Sequence, residues 1–158
     1  MEDIMDKDCI PTLIKHGNSP TELAKAQAEA RKHLPGFPTN GCAANLSALL
    51  QGAGIAVPMT LGAGHLATII KERGWERIAV GQQQAGDIGV TYDLDPTPPG
   101  ADHIYLVVGV SKIGADEMRI ADNQAKTVHT RHASGQEKTP TEYFLRAPGY
   151  TPPPILIS

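Results

Sequence analysis

Apolar residues follow two different rhythms along the chain. Up to about residue 73 they recur at helical spacing, and from residue 88 onward they alternate with small or polar residues as in strands. Residues 10–14 and 21–34 read as helical. The second stretch is opened by Ser19, Pro20 and Thr21, is rich in Ala, Glu, Lys and Leu, and carries a narrow stripe of Leu23, Ala26, Ala30 and Leu34. The segment 35–41 (Pro-Gly-Phe-Pro-Thr-Asn-Gly) is a turn region. It delivers the chain to a helix predicted over 42–53 and closed by Gly54, with Leu46, Leu49, Leu50 and Ala53 on its apolar face. Cys42 falls in the first turn of that helix and, four residues before Leu46, on the same face. A further helix over 64–73 places Leu66, Ile69 and Ile70 together and ends in Lys71, Arg73 and Gly74.

After the Gln84-Ala85-Gly86 turn the period changes to two: Ile88, Val90 and Tyr92 alternate with Gly89, Thr91 and Asp93. A loop with Pro96, Pro98, Pro99 and Gly100 leads to residues 103–110 (His-Ile-Tyr-Leu-Val-Val-Gly-Val), whose β-branched and aromatic content predicts a central strand. Residues 118–121, 127–131 and 143–146 are shorter strand candidates, and Pro152, Pro153 and Pro154 suggest an extended surface tail. Helices first and a meandering antiparallel sheet afterwards predict one α+β domain over 1–158. Within it, 1–39 is a helical lead-in, 40–123 the core, and 124–158 the remaining strands and tail.

A chain of 158 residues is long enough for one hydrophobic core. Its net charge of -3 argues against nucleic acid as a partner and against an anionic membrane surface. The first sixteen residues carry Glu2, Asp3, Asp6 and Asp8 and lack the basic-then-apolar layout of a secretory signal, and no apolar run reaches membrane-spanning length. Synthesis in the cytoplasm without a signal peptide, and no membrane insertion, are the expectations. Two cysteines, Cys9 and Cys42, exclude a disulfide framework and leave a single bridge open.

Cys42 and His103 carry the candidate chemistry. A thiolate is the attacking form of cysteine, and the partial positive charge and free N–H groups of a helix start favour it and can hold an oxyanion. His103, at the mouth of the central strand, is the candidate base. The strand that ends in Ala121-Asp122-Asn123 would return beside it, so Asp122 is the first candidate to orient the imidazole and Asn123 the second. Asp93, Asp95, Asp102, His103, His129 and His132 lie in one half of the chain but form neither a helical His-Glu-x-x-His nor a calcium loop. No metal and no cofactor is expected, and His129 and His132 read as solvated. Cys9 reads as a buried helix residue, 82–84 (Gln-Gln-Gln) as a polar loop, and Tyr92 and Trp75 as core or groove-lining aromatics.

Three short motifs resemble a known family. Residues 40–55, Asn-Gly-Cys-Ala-Ala-Asn-Leu-Ser-Ala-Leu-Leu-Gln-Gly-Ala-Gly-Ile, resemble the catalytic helix of the NlpC-like and CHAP papain-fold peptidases and amidases. Residues 84–88, Gln-Ala-Gly-Asp-Ile, are similar to the Pro-Gly-Asp that leads into their first strand, and residues 102–109, Asp-His-Ile-Tyr-Leu-Val-Val-Gly, to their histidine strand. The motifs occur in the family's order over about half the chain. Ala43-Ala44 replaces the usual Ser-Gly, and Gly41 stands where an acidic or amide residue is usual. The resemblance implies a cysteine hydrolase that cleaves amide bonds in peptidoglycan stem peptides or crosslinks. The third catalytic position varies in the superfamily, which leaves Asp122 and Asn123 both open. A compact chain of this kind is similar to the antibacterial amidase effectors of type VI secretion, which implies export to the periplasm of a target cell and a cognate immunity protein as partner. The alternatives are a papain-like deamidase or protease acting on a protein inside a target cell, and a non-catalytic peptide-binding relative.

Overall fold

The computed structural model describes residues 5–39, 41–91, 103–136 and 138–154. Asn40, Tyr92, Asp93, Asp95 and Asp102, each singled out above, lie outside the described residues. Among the described residues the chain forms four helices and then six strands: α1 (Asp6–Asn18), α2 (Pro20–His33), α3 (Cys42–Gly52), α4 (Ala63–Glu72), β1 (Glu76–Ile78), β2 (Ile88–Thr91), β3 (His103–Val110), β4 (Glu117–Ala121), β5 (His129–His132) and β6 (Tyr143–Arg146). None of these helices is long and apolar enough to cross a membrane.

All strand pairings are antiparallel, in the order β1-β6-β2-β3-β4-β5. β2 to β5 meander as expected, but β6 returns to the free edge of β2 and carries the unforeseen β1 outside it. Both faces of the sheet are buried. Ile88, Val90, Ile104, Leu106 and Leu145 pack under the helices, whereas Tyr105, Val107, Met118, Ile120 and Phe144 form a second cluster on the opposite face. Ala133, Thr139 and Thr141 meet that second face: Ala133 joins the cluster, Arg131 Nη2 donates to the Thr139 carbonyl, and the Tyr105 and Thr141 hydroxyls bond at 2.5 Å. A strand apolar on both faces reads as a continuous run, which is why β3 was legible as central.

α3 is apolar all round, with every residue from Cys42 to Leu50 buried between α1, α2, α4 and β3. α1 runs well beyond the predicted 10–14, through Pro11, because its buried stripe of Ile10, Leu13 and Gly17 includes a glycine that hydrophobic patterning does not count. A Cβ at Gly17 would sit 2.7 Å from Val108 Cγ1 and 2.8 Å from Leu106 Cδ2, so the helix can lie this close to the sheet only without a side chain there. α2 starts as read, with Ser19 Oγ accepting the Glu22 N–H at 3.2 Å and Pro20 in the first turn.

The Gly86-Asp87 pair has a structural role. Gly86 has φ +96°, and a Cβ there would lie 2.5 Å from Ile10 Cγ2. Asp87 is fully buried; Arg146 donates to it from Nε at 2.8 Å and Nη2 at 2.7 Å, and the Gln84 N–H adds a bond at 2.8 Å. Burial pushes the Asp87 carboxyl up, and the Arg146 bonds oppose that shift. The bidentate pair joins the start of β2 to the end of β6, the connection that local sequence does not encode. Asp87→Ala strands a mostly buried guanidinium and is expected to destabilise the protein by about 3 kcal/mol, read from urea unfolding midpoints at unchanged m-value.

Candidate active site

Three successive turns lead into α3: the Phe37 N–H bonds the Leu34 carbonyl, Thr39 bonds Gly36, and Gly41 bonds Pro38 at 3.0 Å. They fold the Phe37 ring against Gly41, where a Cβ would collide with the ring. Position 41 has no room for a side chain in this arrangement. The first helical bond of α3 is from the Asn45 N–H to the Gly41 carbonyl at 2.9 Å, so the N–H groups of Cys42, Ala43 and Ala44 have no helical acceptor. Gly41 offers no capping side chain to them. Cys42, 7% exposed, therefore sits where the helix's N–H groups and partial positive charge converge.

His103 is the first residue of β3, opposite Thr91 of β2. The Thr91 hydroxyl grips it twice, accepting the His103 N–H at 2.8 Å and donating to the His103 carbonyl at 3.3 Å. The His103 ring hydrogen-bonds the Cys42 side chain and, through Nε2, Asp122 Oδ2 at 2.9 Å. Asp122, one residue past β4, has a fully buried side chain. Its Oδ1 is bonded by His129 Nε2 at 2.8 Å and by the Gln124 N–H at 2.8 Å. Gln27 of α2 holds the same turn, its Nε2 donating to the carbonyls of Asp122 at 3.2 Å and Ala125 at 2.8 Å.

Burial by itself raises the Asp122 carboxyl, but hydrogen bonds from His103 and His129, with the charge of both rings, hold it well below the usual carboxylate range. For His103 burial works to lower the pKa, and the bonds to Asp122 and Cys42 together with their charge outweigh it and raise it. An ionised carboxylate only accepts hydrogen bonds, so both imidazoles present an Nε2–H to Asp122. In neutral His103 the basic lone pair is then on Nδ1, the nitrogen left for the Cys42 thiol. Thiol, imidazole and carboxylate stand in the order that a nucleophile, its base and an orienting group require.

Cys42, His103 and Asp122 are thus brought together, and Asn123 is not part of the group. Its Nδ2 donates to the Pro38 carbonyl at 2.8 Å, tying the end of β4 to the turn before Cys42. Adjacent residues on extended chain point to opposite sides, so only one of the two can meet the imidazole. His129, expected to be solvated, instead shares the Asp122 carboxylate, and Thr91 and Gln27 are supports that the sequence did not single out. Cys9 is buried in α1, and no disulfide joins it to Cys42. Gln83 is a loop support, bonding the Gly81 N–H and the Ala115 carbonyl; Trp75 is core, its Nε1 donating to Asp6 at 2.8 Å. Among the described residues, no group of three or more His, Cys, Asp or Glu side chains could hold a metal ion. No protein-family model, no curated protein and no solved structure matches the chain.

Proposed function

We propose that this protein is a papain-like cysteine hydrolase that cleaves amide bonds in peptidoglycan stem peptides or crosslinks. Cys42 is its nucleophile, His103 its base and Asp122 the group that orients the imidazole. The observation that carries the reading is the Asp122 carboxylate accepting Nε2–H from His103, which directs the other ring nitrogen to the thiol. The helix-on-sheet arrangement, with the cysteine at a helix start and the histidine at a strand start, supports the papain-like assignment.

In the first step Cys42 Sγ attacks the amide carbonyl carbon while His103 Nδ1 takes the thiol proton. The oxyanion that forms lies at the start of α3, within the field of the first-turn N–H groups, which point out of the helix start. As the C–N bond breaks, the imidazolium returns its proton to the leaving amine. Water, deprotonated by His103, then attacks the thioester; the C–S bond breaks, the acid is released and the proton returns to the thiolate. Asp122 stabilises the imidazolium in both halves of the cycle. The peptidoglycan substrate class rests on the likeness of residues 40–55, 84–88 and 102–109 to the NlpC-like and CHAP enzymes. In this reading the enzyme is an effector delivered to the periplasm of a target cell and restrained by an immunity protein in its producer.

Digestion of purified peptidoglycan, with mass spectrometry of the released fragments, tests the substrate. The expected result is a single type of cleavage that adds one water and creates one new amine and one new carboxyl end. No release from walls of several chemotypes would shift the substrate to an amide of a protein in the target cell, read as ammonia release for deamidation or as new peptide ends. Failure of Cys42 to react with thiol-directed electrophiles would leave a peptide-binding cleft without catalysis.

A further inference from the structure

We propose that His129 is a positioning residue: its Nε2–H fixes the Asp122 carboxylate in the plane and rotamer that hold His103 in the tautomer able to accept the Cys42 proton. The inference rests on the Cys42–His103 reading above and adds a residue to it. β5 pairs with β4 so that His129 stands directly opposite Ile120, two residues before Asp122. On one face of an antiparallel pair, such diagonal neighbours lie within reach of a long or aromatic side chain. The imidazole covers the distance and bonds Oδ1 at 2.8 Å, while His103 bonds Oδ2 at 2.9 Å. A row of side chains, His103, Asp122 and His129, therefore runs across three strands on one side of the sheet.

The two ends of that row differ in setting. The Asp122 side chain is fully buried, the His103 side chain is 12% exposed, and the His129 side chain is 24% exposed. A buried carboxylate with donors on only one oxygen can turn about its last torsion, and each turn changes which oxygen faces His103. The Gln124 N–H also donates to Oδ1, but it belongs to the same turn as Asp122 and moves with it. His129 comes from a separate strand and is anchored by the sheet register, so it is the external reference for the carboxylate plane. A charge-assisted bond of this kind is among the stronger hydrogen bonds available to a side chain.

Carbamidomethylation of Cys42 by iodoacetamide across a pH series, with peptide mapping to separate it from Cys9, reads the thiolate–imidazolium pair without any substrate. In the wild-type protein a paired thiol keeps an appreciable rate on the acid side, near about pH 6, where an isolated thiol is almost unreactive. His129→Leu, which fills the space without a donor, is expected to lower that acid-side rate about 10- to 100-fold, as loss of an orienting partner typically does. His129→Gln, which keeps an N–H donor, is expected to recover most of it. A folded His129→Leu protein with the wild-type pH profile would overturn the positioning role and leave the Cys42–His103 pair intact. A wild-type profile like that of an isolated thiol would overturn both. Should His129→Leu fail to fold, ¹⁵N NMR of the wild-type imidazoles decides: an Nε2–H tautomer at His129 with a downfield-shifted proton supports the role, and an Nδ1–H tautomer removes it.

Discussion

Cys42→Ala is expected to lower amide hydrolysis by about 10⁴-fold or more, with the protein still folded. The substitution removes the attacking atom, and no other group in the site can replace it. What catalysis is left comes from the N–H groups at the start of α3, which still polarise a bound carbonyl. The fold tolerates the change because Cys42 occupies a first-turn position where alanine fills most of the same volume, between buried Ala43 and the Phe37 turn. The loss in stability should stay near about 1 kcal/mol, the scale of one buried small group. Fragment release from peptidoglycan and the thermal midpoint, measured on the same preparation, separate loss of chemistry from loss of fold. Cys9→Ala is the control: that thiol lies in α1 against Gly54, away from His103, and burial together with the charge of Asp6 and Asp8 raises its pKa, so hydrolysis should be unchanged.

Asp122→Ala is expected to reduce turnover by about 10³- to 10⁴-fold, since an imidazole without its carboxylate loses both the tautomer and the stabilisation of its charged form. The same change leaves the His103 and His129 N–H groups without their acceptor, for about 1–3 kcal/mol of stability. Its pH dependence has a definite sign. Asp122 has a depressed pKa when folded, so its contribution is present above the ordinary carboxylate value of about 3.9 and is lost as pH falls through the lower folded value. His103 has a raised pKa when folded, so its share is complete below the ordinary value of about 6.5 and is lost as pH rises through the folded one. The stability gap between wild type and Asp122→Ala should therefore be widest between about pH 4 and 6.5 and narrow on either side. Urea unfolding at a series of pH values checks it; a gap that grows steadily toward alkaline pH would contradict the buried imidazole–carboxylate pair.

Local sequence was sufficient for the two elements that carry the chemistry. The turn before Cys42 and the glycine after the next eleven residues mark α3 at both ends, and the β-branched run after His103 marks β3, because caps, turns and strand propensity act over a few residues. β1 was not legible: Glu76, Arg77 and Ile78 are too few to show a period, and they become a strand only through pairing with β6. The place of β6 beside β2 was equally hidden, since the buried Asp87–Arg146 pair that accompanies it joins residues far apart in the chain.

The amino-acid sequence by itself determined that a cysteine would open a buried helix and that a histidine would open a central strand after it. Only the tertiary structure decided which neighbours those two residues acquired. The pairing of Leu106 with Ala121 sets the β3–β4 register, and with it Asp122 meets the imidazole while Asn123 goes to Pro38. The pairing of Ile120 with His129 then brings a second imidazole to the same carboxylate, a residue that looked solvated in the sequence. Helix starts and strand runs are chosen by interactions between near neighbours. A strand register is chosen by burial summed over a whole sheet face, and a slip of one residue would exchange every inward side chain for an outward one.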